Sequence, residues 1–286
     1  MATKKIQLVL GSGGARGMAH IGVIEGLQAN GHEITEVVGC SMGAVIGGIY
    51  CSGNLEKYRE WLVKLDKSSV FDLLDFTFTR QGFIKGEKIF KEILDMTGKQ
   101  AIEDFDIPFT AVATDLMHMK EVHYKNGDLF NALRASISMP GLFLPVYDEN
   151  QILVDGGVLN PLPLDLVKPR EDHTIVAVNV NGPASVADMI HKEKKENEKA
   201  DLKKSWFEKT FSLPDLSNNK KEYKLSLLEL MDTSYNFTQD RLTKMILEVH
   251  PPDLLIEIPR TACDTFDFHM GDDLIAMGRE KLEEIL

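Results

Sequence analysis

Cysteine is scarce, with only Cys40, Cys51 and Cys263 in 286 residues. None forms a CxxC pair, which excludes a small disulfide scaffold. A sparse, odd set suits a reducing compartment. Long apolar runs are also missing. No stretch approaches the roughly 20 apolar residues of a membrane span. Lys4 and Lys5 are followed by only a short apolar run, 6–10, before a glycine-rich turn. That is too short for the apolar region of a signal peptide. Basic charge is in deficit: 32 Lys and Arg face 44 Asp and Glu, for a net charge of −12. A nucleic-acid partner would call for a basic face. An anionic membrane exerts no long-range pull on so acidic a chain. The expectation is a soluble cytoplasmic protein, peripheral at the inner membrane at most. Apolar residues make up 43% of the chain and charged residues 27%. This is ordinary globular usage, with enough apolar material for a large core.

The apolar pattern alternates between strand and helix. Residues 6–10 read as a buried strand, 18–29 as a helix, 36–40 as a strand and 42–51 as an apolar helix. That order is the α/β signature of a parallel sheet. Further helices are expected at 55–65, 87–96, 129–137 and 271–286. Strands are expected at 109–114, 121–124 and 254–258, with a hairpin over 146–154 and a central strand at 174–180. The stretch 191–224 differs. It holds ten Lys against seven Asp or Glu, so it is net +3 and leaves −15 on the rest. It also carries Trp206, Phe207 and Phe211. Two readings stay open: a solvated helical insertion at about 184–224, or a lid that touches a membrane surface.

Glycine motifs follow three of the expected strands. The first is Gly11-Ser12-Gly13-Gly14-Ala15-Arg16-Gly17. Backbone N–H groups in such a turn can converge on one cavity at a helix N-terminus and bind negative charge. A dinucleotide site would place an acid at the end of the second strand. Here that place is taken by Gly39-Cys40-Ser41-Met42-Gly43, a G-x-S-x-G. Between an apolar strand and an apolar helix, this is the setting of a nucleophile elbow. Cys40, at the preceding position, is expected to point into the core. The third motif is Asp155-Gly156-Gly157, which ends the apolar run 152–154. A carboxylate there suits a base placed against Ser41, although Asp-Gly is also ordinary turn chemistry. The alternative bases are the late histidines His173, His191, His250 and His269. None of them lies in a distinctive motif. No metal-ligand cluster and no cofactor is expected.

Together the three motifs resemble the patatin-like phospholipase family. The resemblance covers about 6–163, and the end of the chain is similar to the family's single-domain bacterial members. One position departs: the family's G-x-G-x-x-G begins with Ser12 in place of glycine. The resemblance implies a three-layer α/β/α sandwich with a mostly parallel sheet, in one hydrolase domain over 1–286. It implies a Ser41–Asp155 dyad without a catalytic histidine. Gly13, Gly14 and Ala15 would supply the oxyanion hole, and Arg16 would brace the loop or meet a phosphate headgroup. Gly39, Gly43, Gly156 and Gly157 would support the two catalytic turns. The substrate would be a lipid acyl ester, of lysophospholipase or phospholipase A type. Two other readings remain: an α/β-hydrolase esterase or thioesterase with a late histidine, and a nucleotide- or acyl-ligand-binding module.

Overall fold

A computed structural model describes residues 3–75, 84–148, 150–183 and 227–286. The charged stretch 191–224, with His191, Trp206, Phe207 and Phe211, lies outside the described residues.

The chain opens with β1 (Lys5–Leu10), α1 (Ala19–Ala29), β2 (Glu33–Cys40) and α2 (Met42–Cys51). Helices α3 (Leu55–Leu62), α4 (Lys67–Leu73) and α5 (Glu87–Thr97) follow. Next come β3 (Phe109–Asp115), β4 (Lys120–Tyr124), α6 (Leu129–Ser136), β5 (Val146–Asp148) and β6 (Gln151–Asp155). The last elements are β7 (His173–Gly182), α7 (Leu227–Val249), β8 (Leu254–Pro259) and α8 (Gly271–Glu283).

These strands form one eight-stranded sheet, ordered β5-β6-β3-β2-β1-β7-β8, with β4 also paired to β3. Strands β1, β2, β3, β7 and β8 run parallel, while β4 and β6 run antiparallel to β3. The alternation of side chains along a strand sorts the core into two faces. Ile6, Leu8 and Leu10 pack on one face with α1, α2 and α8, through residues such as Ile24, Ile46 and Ile275. Val9, Val38 and Ala177 face the other way, against Leu162, Leu164 and Ile246 of α7. Each fully buried Val, Leu or Ile side chain among them contributes about 1.5–3 kcal/mol. The result is the expected three-layer α/β/α architecture.

Two helices have no counterpart in the sequence reading. Helix α4 is short and is capped by Asp66, which accepts from Ser69 N at 2.7 Å. Helix α7 buries a polar face: Gln239 and Thr243 are among its most enclosed residues. Apolar periodicity cannot reveal such a helix. The segment expected as a helix over 18–29 starts earlier, with a 3₁₀ turn at Gly14–Met18.

Candidate active site

Ser41 lies between β2 and α2 at φ 54° and ψ −123°. A non-glycine residue held there stores about 1–3 kcal/mol of strain. Its two flanking glycines are set by close backbone approach. A Cβ on Gly39 would strike the Gly43 carbonyl, and one on Gly43 would strike the Leu10 carbonyl. Ser41 N–H donates to Ser136 Oγ at 2.9 Å, and Ser136 Oγ–H donates to Val112 O at 2.7 Å. The last residue of α6 therefore ties the elbow to β3.

Strand β3 brings Ser41 and Asp155 together. One of its edges is occupied by β4 along residues 111–115. On the other edge β2 pairs as far as Cys40↔Val112, and β6 takes over at Asp155↔Ala113. The ends of β2 and β6 thus abut. Ser41 Oγ–H donates to Asp155 Oδ2 at 2.6 Å. Gly157 N–H donates to Asp155 Oδ1 at 2.7 Å, and Asp155 N–H donates to Ser138 O at 2.9 Å.

The Asp155 carboxyl is fully buried. Burial pushes its pKa up from 3.8 to about 6, against the opposing pull of donors from Ser41 and Gly157. Cys40 points into the core among Val9, Val38 and Val112, as its position predicts. Its Sγ is 4.0 Å from Asp155 Oδ1, and burial beside that carboxylate drives the thiol well above its ordinary range. A thiolate is suppressed there.

The glycine-rich loop lies alongside. Gly11 N–H and Ser12 N–H donate to Val178 O at 3.0 Å and Pro161 O at 2.8 Å. Ala15 N–H donates to Thr265 O at 2.9 Å. That corrects one expectation: the Ala15 amide is already used, so it is not a free oxyanion donor. Gly13 and Gly14 N–H have no acceptor among the described residues. Gly14 has φ +56°, a conformation that favours glycine, and a Cβ there would lie 2.8 Å from Thr265 O. Arg16 is 4% exposed. Its Nε, Nη1 and Nη2 donate to Val180 O, Cys263 O and Asn181 Oδ1 at 3.0, 3.2 and 2.7 Å. Of its two expected roles, the brace is the one present, because the guanidinium faces protein acceptors. Buried His20, its pKa lowered by burial to about 4, stays neutral and meets Gly11 O at 2.9 Å.

An apolar pocket opens beside Ser41, Gly14 and Asp155. Val45, Leu62, Leu74, Ile93, Ile137 and Phe143 line it. The space along its lining, open solvent at the mouth included, is about 770 Å³. Among the described residues, no histidine bonds Ser41 or Asp155. His250 is exposed beyond α7, and His269 lies 3.8 Å from Asp267. No group of acids, histidines or cysteines that could hold a metal occurs among the described residues. No described helix is long and apolar enough to cross a membrane.

The family model for patatin-like phospholipases matches residues 8–168, a span that holds both Ser41 and Asp155. The chain belongs to the patatin-like phospholipase family. As a member of this family it is a lipid acyl hydrolase, of the esterase and phospholipase class. It is 32% identical to an uncharacterized NTE family protein of Mycobacterium tuberculosis, over 97% of this chain and 90% of the relative. It is 36% identical to neuropathy target esterase sws of Drosophila melanogaster, over 61% of this chain and 13% of that protein. Among solved structures it is similar to VipD from Legionella pneumophila, with a TM-score of 0.43 and 14% identity. That likeness covers 87% of this chain and 67% of VipD.

Several residues around the patatin-like site escape a motif search. Ser136 and Ser138 brace Ser41 and Asp155, and their one sequence signal is hydroxyls at the end of an apolar helix. Tyr235, Gln239 and Thr243 recur every four residues on α7. That spacing puts them on one helix face. Ser12, the departure from the family motif, is itself bonded: its Oγ accepts from Gln239 Nε2 at 3.0 Å and its carbonyl from Asn181 Nδ2 at 2.7 Å.

Proposed function

We propose that this chain hydrolyses lipid acyl esters with Ser41 as nucleophile and Asp155 as base, in one hydrolase domain. The observation that carries the proposal is the 2.6 Å hydrogen bond from Ser41 Oγ to a buried carboxylate at the end of an apolar pocket. Asp155 takes the Ser41 proton as Oγ attacks the acyl carbon. A base with a pKa of about 6 is mostly ionised at neutral pH, yet far more basic than a solvated aspartate. The oxyanion of the tetrahedral intermediate meets the free N–H groups of Gly13 and Gly14. Each such donor is worth about 3–4 kcal/mol in comparable sites. The N-terminus of α2 adds a favourable dipole. Asp155 then returns the proton to the leaving alcohol, and an acyl–Ser41 ester remains. Water activated by the same carboxylate releases the fatty acid.

The apolar pocket suits a single acyl chain, which favours a lysophospholipid or other monoacyl ester. The net-basic, aromatic stretch 191–224 is the segment proposed to make peripheral membrane contact. A panel of short p-nitrophenyl esters, lysophospholipid and diacyl phospholipid, with fluorophosphonate labelling, tests the whole reading. Labelling should fall on Ser41, and turnover should rise with chain length. Labelling elsewhere, or wild-type turnover in Ser41→Ala, refutes the nucleophile assignment.

A further inference from the structure

Helix α7 lies beyond the span matched by the family model, yet it reaches the catalytic turn. Tyr235 and Gln239, one turn apart, lie over Gly157. A Cβ on Gly157 would collide with Gln239 Nε2 and stand 2.9 Å from Tyr235 Oη and 3.1 Å from Asp155 Oδ1. Those three polar atoms therefore crowd one backbone position. Gln239 is 2% exposed and donates to Ser12 of the oxyanion loop at 3.0 Å. The Tyr235 ring is half-buried, but its hydroxyl is sealed from solvent and has no well-aligned hydrogen bond among the described residues. A buried phenol left without a partner is costly. The groups beside it are the Asp155 carboxylate and the Gln239 amide.

We propose that Tyr235 is a positioning residue that donates its hydroxyl to the ionised Asp155 carboxylate, while Gln239 ties the same helix turn to the oxyanion loop. Helix α7 thereby locks the base and the oxyanion loop in register. The proposal rests on the Ser41–Asp155 reading. Asp155 accepts from Ser41 through Oδ2 and from Gly157 through Oδ1. A third donor favours the charged form and fixes the plane of the carboxylate.

The titratable groups facing Asp155 are Cys40 from β2 and Tyr235 from α7. Ser41 faces it from the elbow, and Ser138, beyond α6, meets its backbone. Burial drives both Cys40 and Tyr235 well above their ordinary ranges, so both hold their protons while Asp155 titrates. Glu121 is the next charge, and it acts on Cys40.

Losing the Tyr235 donor should make Asp155 easier to protonate. The acidic limb of kcat/KM should then move up by about 1 pH unit. The test measures kcat/KM for a short soluble p-nitrophenyl ester from pH 4.5 to 9, in wild type, Tyr235→Phe and Asp155→Asn. The rate of fluorophosphonate labelling is followed over the same range as a second readout. Both limbs should move up in Tyr235→Phe, with the high-pH plateau kept within a few-fold. A limb present in wild type but unmoved in Tyr235→Phe overturns the role of Tyr235, whatever happens to the plateau, and leaves the dyad standing. A wild-type profile with no limb that Asp155→Asn removes overturns the dyad, and this proposal with it.

Discussion

Replacing Asp155 with asparagine should make the protein more stable and almost inactive. Burial raises the Asp155 pKa from 3.8 to about 6. Between those values the folded chain holds a proton that the unfolded chain has released. Unfolding free energy therefore falls as pH rises through that window, and the full cost is present above about pH 6. At 1.36 kcal/mol per pH unit, the cost is ~3 kcal/mol at pH 7.5 and ~1 kcal/mol at pH 4.5. Asparagine does not titrate and can still accept from Gly157 N–H, so the variant escapes the cost. Its melting midpoint should exceed that of wild type by about 6–12 °C at pH 7.5, and by much less at pH 4.5. Hydrolysis of a short soluble ester should fall by roughly 10²–10⁴-fold, the range for loss of a general base. Matched thermal scans at both pH values and steady-state rates provide the check. Equal midpoints at pH 7.5, or a less stable variant, refute the burial argument. Near-normal turnover refutes the base assignment. An acidic limb near 6 does not by itself separate Asp155 from a histidine, whose ordinary value is about 6.5. The temperature dependence of the limb does, because a carboxyl ionises with almost no enthalpy and an imidazole with a large one.

Ser41→Gly and Ser41→Ala should both be inactive and unlabelled, and because both lose the hydrogen bond to Asp155, relief of the strain at φ 54° should leave the glycine variant about 1 kcal/mol more stable than the alanine variant by denaturant titration. Arg16→Met should strand the acceptors at Val180, Cys263 and Asn181, lowering stability by ~3 kcal/mol or more and slowing turnover. A wild-type melting curve would contradict that account. Gly14→Val brings a branched side chain against Thr265 at a positive φ, so kcat should fall sharply. Unchanged kcat would separate the loop from oxyanion binding. Ile93→Trp should fill the apolar pocket, reducing turnover of long-chain esters far more than of short ones. A uniform effect on both would place the acyl chain elsewhere.

What the sequence determined by itself is local. Residues 6–10 and 36–40 are apolar enough to be strands, and each runs directly into a glycine-rich turn. Close backbone approach demands glycine at 39 and 43, so the elbow is written in five consecutive residues. Asp155-Gly156-Gly157 is legible for the same reason. The tertiary structure decided which groups meet. Ser41 and Asp155 are 114 positions apart, and they touch because β3 exchanges β2 for β6 between Val112 and Ala113. No local pattern encodes that exchange. The Ala15 amide is taken by Thr265, 250 positions on, which sequence spacing cannot foresee. Arg16 became a brace because buried carbonyls of β7 and Cys263 surround it. Helix α7 stayed hidden because the face it buries is polar. Hydrogen-bond partners across such separations are set by strand register and helix packing, and those form only when the whole core closes.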